Sequence, residues 1–201
     1  MQELSLWFSA MALAVAALPA ANPLPRIGGA GLQTSAPRFD SDGALLRPKD
    51  FETWVFVGSS TGLTYESGIQ SSGPGEFHDV YIRPESYREY VRTGKFPEKT
   101  ILVLAVYAPK EKISPAKAGY FEGDLEGLAA AVKDHERFPE GWAYFNFSES
   151  GQLKERATPS PKQTCFSCHK QHAADDNVFV QFYPVLRPIA QSHLSSPRSE
   201  K

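Results

Sequence analysis

Sulfur-containing residues are scarce in this chain of 201 residues, which has two cysteines and two methionines. Both methionines, Met1 and Met11, lie in the apolar N-terminal segment, so the rest of the sequence contains none. An excess of charge of either sign is also lacking, because 21 basic and 23 acidic residues leave a formal net charge of -2. This balance gives no electrostatic signature of a nucleic-acid-binding protein.

Long hydrophobic runs are missing except at the N-terminus. The segment from Leu4 to Ala20 is apolar and ends in small residues, like a secretory signal peptide and its cleavage site, and no other segment approaches the roughly 20 apolar residues of a membrane span. Glu3 precedes it where signal peptides normally carry Lys or Arg, so a retained anchor and a buried helix are alternatives. We predict a signal peptide at 1–21 and export to the periplasm.

Composition changes divide the remainder into three parts. Residues 22–48 are rich in Pro, Gly and Ser, which predicts an irregular N-terminal arm. Residues 49–190 form the predicted folded domain, and 191–201 a disordered tail. With 41% hydrophobic and 12% aromatic residues, the chain can bury an ordinary core.

Within the domain, β-favouring runs alternate with turn residues, and helical patterns lie between them. Strands are predicted at 51–60, 76–82, 99–108, 118–124 and 142–147, and helices at 84–94, 125–138 and from about 164. Because the strands have hairpin-length spacings, the pattern predicts an α+β fold, a mostly antiparallel sheet with peripheral helices.

The two cysteines belong to a C-x-x-C-H motif formed by Cys165, Cys168 and His169. Two thiols on one helical turn can each form a thioether to a vinyl group of a haem, and the adjacent histidine then lies below the iron. The motif predicts one covalent haem c attached near the C-terminus, with His169 as the proximal iron ligand. Export agrees with this, since c-type attachment in bacteria takes place outside the cytoplasm.

Three other uses of the cysteines are open. A structural disulfide and a thioredoxin-like redox pair need no haem, although the redox pair normally lies in a βαβ unit that this sequence lacks. Half of a zinc site would need further ligands, for which His169 and His172 are the nearest candidates.

The missing methionines restrict the second axial position of the iron. The His/Met ligation of electron-transfer cytochromes c is excluded once the leader is removed. Either the distal side is open or a second histidine closes it. The candidate histidines are His78, His135, His172 and His193. Of these, His78 is the one that lies in a predicted strand able to line a pocket.

The segment from about Asp50 to Arg187 resembles the cytochrome P-460 and cytochrome c′-beta family. The matching stretches are ETWVFVG, FHDVYI with PESYREYVRTGKFP, TILVLAVY, GYFEGDLEGL, RFPEGWAYFNF, and CFSCH with DDNVFVQFYPVLR. The resemblance implies a mostly antiparallel sheet, one haem c with a proximal histidine, and a distal side open to small ligands.

The family divides according to its distal equipment. Cytochrome P-460 members oxidise hydroxylamine and have a lysine cross-linked to the haem and a nearby carboxylate, whereas cytochrome c′-beta members bind nitric oxide or carbon monoxide beneath an apolar, aromatic cap. Leu104 occupies the expected lysine position, and Lys99, five residues earlier, is an unsuitable substitute. Residues 160–164 contain no carboxylate where the family has one. Both departures favour gas binding.

A pocket lined by strand residues therefore becomes the predicted distal site. Its candidates are Leu104, His78, Leu102, Val106, Phe56, Phe77, Phe121 and Phe145. We predict a periplasmic gas-binding cytochrome; a hydroxylamine-oxidising enzyme and a bis-histidine electron carrier are the alternatives. A redox partner protein and a homodimer are compatible with each of these.

Overall fold

The computed structural model describes residues 36–64 and 73–195. The predicted signal peptide and the first part of the arm lie outside the described residues. The strands are β1 Leu45–Leu46, β2 Val55–Thr61, β3 Phe77–Ile82, β4 Ile101–Glu111, β5 Tyr120–Lys133, β6 Trp142–Asn146, β7 Ser148–Glu149, β8 Gln152–Leu153 and β9 Arg156–Ala157. The helices are α1 Pro84–Thr93, α2 Phe166–His172 and α3 Arg187–Ser195, with short 3-10 helices at Phe51–Thr53 and Val180–Phe182.

The main sheet has five antiparallel strands in the order β2, β3, β4, β5, β6. Each strand pairs with its neighbour in the chain, so the sheet is a meander joined by local connections. Two-stranded pairs, β1 with β9 and β7 with β8, complete the strands that the structure describes. The predicted α+β class with a mostly antiparallel sheet and peripheral helices is confirmed.

The predicted helix at 125–138 is wrong, because most of this segment belongs to β5. Its alanines, leucines and glutamates favour a helix in isolation. In the structure they pair with β4 over nearly its whole length, and burial alternates so that Leu128, Ala130 and Val132 enter one core while Ala129 and Ala131 face the other side. Long-range pairing has overridden local propensity here.

Each side of the sheet has its own core. The first face presents Val103, Leu128 and Phe145, and the second face presents Leu102, Ala131 and Tyr144. Because neighbouring side chains of a strand point to opposite sides, β4 is almost wholly apolar and serves both cores. The N-terminal arm covers part of the first face, where Leu45 is completely buried.

The second face is covered by the helices and by the chain between them. Buried residues from α1, from the segment around Val178 and from α3 pack against the strands. Gly58 in β2 permits a close approach, since a side chain there would meet Pro184 at 2.8 Å. Helix α3 runs to Ser195, so the first residues of the predicted tail are helical. Among the described residues, no helix has the length and apolarity that a membrane span requires.

One carboxylate, that of Asp79, is buried at the first face. Asp79 is 3% exposed, and its Oδ2 lies 3.4 Å from the Tyr81 hydroxyl. Partial desolvation and the neighbouring Asp79 raise the pKa of Glu122, an exposed residue of β5, above its ordinary value of 4.5. The folded protein therefore holds a proton on Glu122 at a pH where the unfolded chain has released it.

This shifted pKa predicts a pH-dependent loss of stability. The contribution of Glu122 is fully present below pH 4.5 and is lost as the pH rises through the higher folded-state pKa. Urea midpoints measured across this range should fall less steeply in Glu122→Gln than in the wild type. Glu126→Gln, which alters an exposed glutamate of the same strand, should retain the wild-type slope. Equal slopes in all three proteins would contradict the shifted pKa.

Candidate functional site

A cavity of about 370 Å³ opens on the second face of the sheet. The cavity is shallowly bounded along β5, where Ala129 and Ala131 face it with only a methyl group each. The volume lies within the ordinary range of cofactor pockets. In addition to those two alanines, the lining residues are Ser59, Ser60, Leu63, His78, Val80, Leu102, Val103, Leu104, Val106, Leu128, Ala130, Tyr144, Phe145, Asn146, Ser148, Ser160, Cys165, His169, Asn177, Val178, Phe179, Phe182 and Tyr183.

Helix α2 brings the cysteine motif to this cavity. Cys165 precedes the first residue of the helix and lines the cavity, while Cys168 lies one turn later and is partly buried. Both cysteines are free thiols. Burial raises the pKa of the Cys165 thiol, which is the opposite of the depressed pKa of redox-active cysteines.

The imidazole ring of His169 has a defined hydrogen-bond partner. Its Nδ1 lies 2.8 Å from the backbone oxygen of Asn177, and a carbonyl can only accept, so Nδ1 carries the proton and donates it. Burial lowers the pKa of His169, which favours the neutral ring. A neutral imidazole protonated on Nδ1 has its Nε2 lone pair available for a metal.

Two aromatic rings hold the imidazole in position. The ring centroids of Tyr144 and Phe179 lie 4.2 Å and 4.5 Å from that of His169, with interplanar angles of 41° and 53°. Tyr144 comes from β6, and Phe179 from the segment that follows α2. The ring orientation is therefore set by groups from two separate parts of the chain.

The alternative uses of the motif find little support in this geometry. The two thiols are not joined in a disulfide. Within the part of the chain that the structure describes, no three His, Cys, Asp or Glu side chains lie close enough together to bind a metal ion, which includes the cluster considered for zinc.

Five of the predicted distal residues are among those that line the cavity: Leu104, Leu102, Val106, His78 and Phe145. The three aliphatic residues share the second face because they alternate along β4. His78 lies beside Val106 in the register of β3 and β4. Its Nε2 is 3.6 Å from a carboxylate oxygen of Glu76, on a side chain that is 28% exposed.

Of the four predicted phenylalanines, Phe145 alone contacts the cavity. Phe56, Phe77 and Phe121 are not among the cavity-lining residues within the described ranges; Phe56 packs on Tyr81 with ring centroids 5.6 Å apart. Phe77 shares the first face with Tyr81 by strand alternation, and Phe121 is 39% exposed in the β4–β5 hairpin. Phe145 touches the cavity wall, but its ring belongs to the first core. Alternation and register, which sequence reasoning could not assign, explain why Phe56, Phe77 and Phe121 lie away from the cavity and why the Phe145 ring packs in the first core.

Four further aromatic residues line the cavity, and they were not predicted from the sequence. They are Tyr144, Phe179, Phe182 and Tyr183. Three of them lie in the stretch that follows the motif, where the sequence reads DDNVFVQFYPV. Their position shortly after the histidine was the available signal, since a chain leaving α2 must pass close to the proximal ligand.

Lys99 and the remaining histidines have other partners. The Nζ atom of Lys99 lies 2.6 Å from Asp134 and 2.7 Å from Glu136, outside the cavity lining. His135 contacts Glu98, and the Nε2 atom of His193 lies 3.3 Å from the backbone oxygen of Val91. His172 ends α2 and is exposed. Of the four histidines considered as second ligands, His78 alone lines the cavity.

A family model described as Cytochrome P460 matches residues 48–180, more than half of the chain. The chain belongs to the cytochrome P460 family. As a member of a cytochrome family it is a haem-binding, and therefore iron-binding, protein. The comparison with curated proteins gives no match.

The residues of this cytochrome P460 family member fit a haem. The small side chains on β5 leave room for a flat group, and the lining is mainly apolar. The partly buried imidazole of His169, whose lowered pKa favours the neutral form, offers Nε2. One thiol lines the same cavity and the second lies one helical turn away. Cys165, Cys168 and His169 are the residues that would hold the group.

Proposed function

We propose that this protein carries one covalent haem c, bound by thioethers from Cys165 and Cys168, with His169 as the proximal iron ligand. The free thiols, their place on α2 and the hydrogen-bonded imidazole support the assignment. Covalent attachment in bacteria requires export, so we also propose that the apolar N-terminal segment directs the chain to the periplasm.

We further propose that the distal side binds small neutral gases such as nitric oxide or carbon monoxide. The observation that carries this proposal is the composition of the cavity lining, which within the described residues contains no lysine and no carboxylate. Leu104 stands where a cross-linking lysine would be expected, and Val80 and Ala129 flank it on adjacent strands. Such walls favour an uncharged diatomic ligand over one whose reaction needs proton transfer.

The chain's own residues perform three tasks in this function. When bound, the haem supplies an iron centre for reversible ligand binding. His169 presents a neutral imidazole in a fixed orientation, the apolar strands exclude water, and the small residues of β5 leave the necessary space. Ser60 and His78 lie side by side in the register at the polar edge of the cavity.

Oxidation of hydroxylamine is the rival function, and family membership is the observation in its favour. Absorption and electron paramagnetic resonance spectra of the matured holoprotein should show a high-spin ferric haem with an ordinary c-type Soret band. Carbon monoxide and nitric oxide should bind the ferrous form, and hydroxylamine should give no turnover with an artificial oxidant. A strongly red-shifted ferrous Soret band or catalytic turnover would favour the enzyme.

A bis-histidine electron carrier is the third candidate, favoured by the position of His78 in the cavity. It predicts a low-spin resting spectrum that becomes high-spin in His78→Phe. Under the gas-binding proposal both proteins are high-spin at rest. His135→Phe, which alters a histidine outside the cavity lining, is the matched control.

A further inference from the structure

The backbone oxygen that contacts His169 belongs to a tight turn centred on Asp176 and Asn177, called here the 176–177 turn. The N–H of Val178 donates to the oxygen of Asp175 over 2.7 Å and closes the turn. Asp176 and Asn177 have φ values of 42° and 59°, so both lie in the left-handed region. Positive φ at both central positions is the pattern of a type I′ turn, which usually contains glycine.

Side chains from outside the turn hold it in this uncommon conformation. The carboxylate of Asp176 accepts hydrogen bonds from Trp142 Nε1 at 3.1 Å and Lys133 Nζ at 2.7 Å. Asp175 accepts one from the Tyr90 hydroxyl at 2.7 Å. Donors on α1, β5 and β6 thus fix the turn from three directions, and this explains how non-glycine residues persist there.

The oxygen of Asn177 accepts two hydrogen bonds. One comes from Nδ1 of His169 at 2.8 Å, and the other from the Tyr144 hydroxyl at 3.0 Å. A tyrosine hydroxyl keeps its proton at neutral pH, because its ordinary pKa is about 10, and it is therefore the donor. A carbonyl has two lone pairs, and a donor on one withdraws electron density from the other. The two donors therefore compete for the same acceptor.

We infer that Tyr144 is a positioning residue that sets how strongly His169 donates electrons to the haem iron. A hydrogen bond from Nδ1–H to an acceptor makes an imidazole a more basic metal ligand. By sharing the Asn177 oxygen, the Tyr144 hydroxyl weakens that bond and moderates the basicity of His169. This inference rests on the proposed haem site, but it is independent of which ligand binds at the distal side.

The Tyr144→Phe holoprotein tests the inference, because the variant keeps the ring that packs on His169 and loses only the hydroxyl. The Asn177 oxygen is then left to His169 alone. The iron–histidine stretch of the ferrous protein, measured by resonance Raman spectroscopy, should move to higher wavenumber. At a fixed potential the ferric-to-ferrous ratio should rise by about two- to threefold, the equivalent of a fraction of one ordinary hydrogen bond.

Tyr90→Phe is the matched control. It removes a tyrosine hydroxyl that bonds to the same turn through Asp175 without contacting the Asn177 oxygen. This control should leave both the stretch and the ratio at their wild-type values. Equal shifts in the two variants would overturn the inference, because they would reflect general loosening of the turn, and so would an unmoved Tyr144→Phe.

A second probe covers the case in which Tyr144→Phe fails to mature. Incorporation of 3-fluorotyrosine at position 144 makes the hydroxyl a stronger donor and should shift the stretch and the ratio in the opposite direction; an unchanged or reversed shift counts against the inference. A wild-type protein with no iron–histidine band and no retained haem would contradict the haem site itself. A normal band that neither change moves contradicts only the role of Tyr144.

Discussion

Replacing Cys165 and Cys168 together with alanine is expected to abolish covalent haem attachment. After expression with a c-type maturation system, the wild-type polypeptide should retain the mass of one haem in denaturing mass spectrometry, whereas the double variant should have its unmodified mass. The physical reason is that each thiol supplies one thioether, and without both sulfurs only the single coordinate bond from His169 holds the group. Either single variant should retain haem through its remaining thioether.

Ser167→Ala provides the control for this experiment. Ser167 lies between the two cysteines and is exposed. Its substitution changes a side chain within the motif but leaves both sulfurs and their spacing intact. It should mature like the wild type. A wild-type protein of unmodified mass would contradict covalent attachment, and so would a double variant that still carries haem after denaturation.

Phe145→Ala is expected to cause a large loss in the free energy of unfolding. Phe145 is 1% exposed, and its ring packs edge-on against Phe39 and Phe138 with centroids 6.1 Å and 6.0 Å away. Truncating a buried phenylalanine leaves a void as well as lost burial, which typically lowers the free energy of unfolding by about 3–5 kcal/mol. Urea denaturation of the holoprotein measures the loss directly.

The same variant distinguishes a core residue from a distal cap. Because the ring lies on the first face of the sheet, molecules that remain folded should keep the wild-type haem spectrum and carbon monoxide affinity. Phe121→Ala, at a ring that is 39% exposed, should change the free energy of unfolding by no more than about 0.5 kcal/mol. A changed haem spectrum combined with little loss of stability would mean that the Phe145 ring reaches the cavity.

Local pattern was sufficient for much of the fold. The run at the start of β4 and the aromatic run of β6 are apolar enough to predict strands without any tertiary information. The α1 boundaries follow from Pro84 and Gly94, and Gly94 takes the left-handed conformation expected after a helix. Segment 125–138 could not be predicted in this way, because its propensity is helical and only the two flanking strands make it β5.

The sequence by itself determined the chemistry of this protein. Two cysteines and a histidine stand at fixed spacing within about one helical turn, and the absence of methionine after Met11 is a property of composition alone. Neither the spacing of the motif nor the methionine content depends on tertiary contacts. Membership of the cytochrome P460 family agrees with what those residues predict.

Only the tertiary structure decided what surrounds that chemistry. A one-residue change of register reverses the face of a strand, so the exclusion of the Phe145 ring and the inclusion of Leu104 required the pairing of whole strands. The contact between His169 and the Asn177 oxygen depends on a turn fixed by donors on three elements, remote in the chain. Composition and spacing do not encode distances across the fold, and these distances determine which residues contact the proposed haem-binding residues.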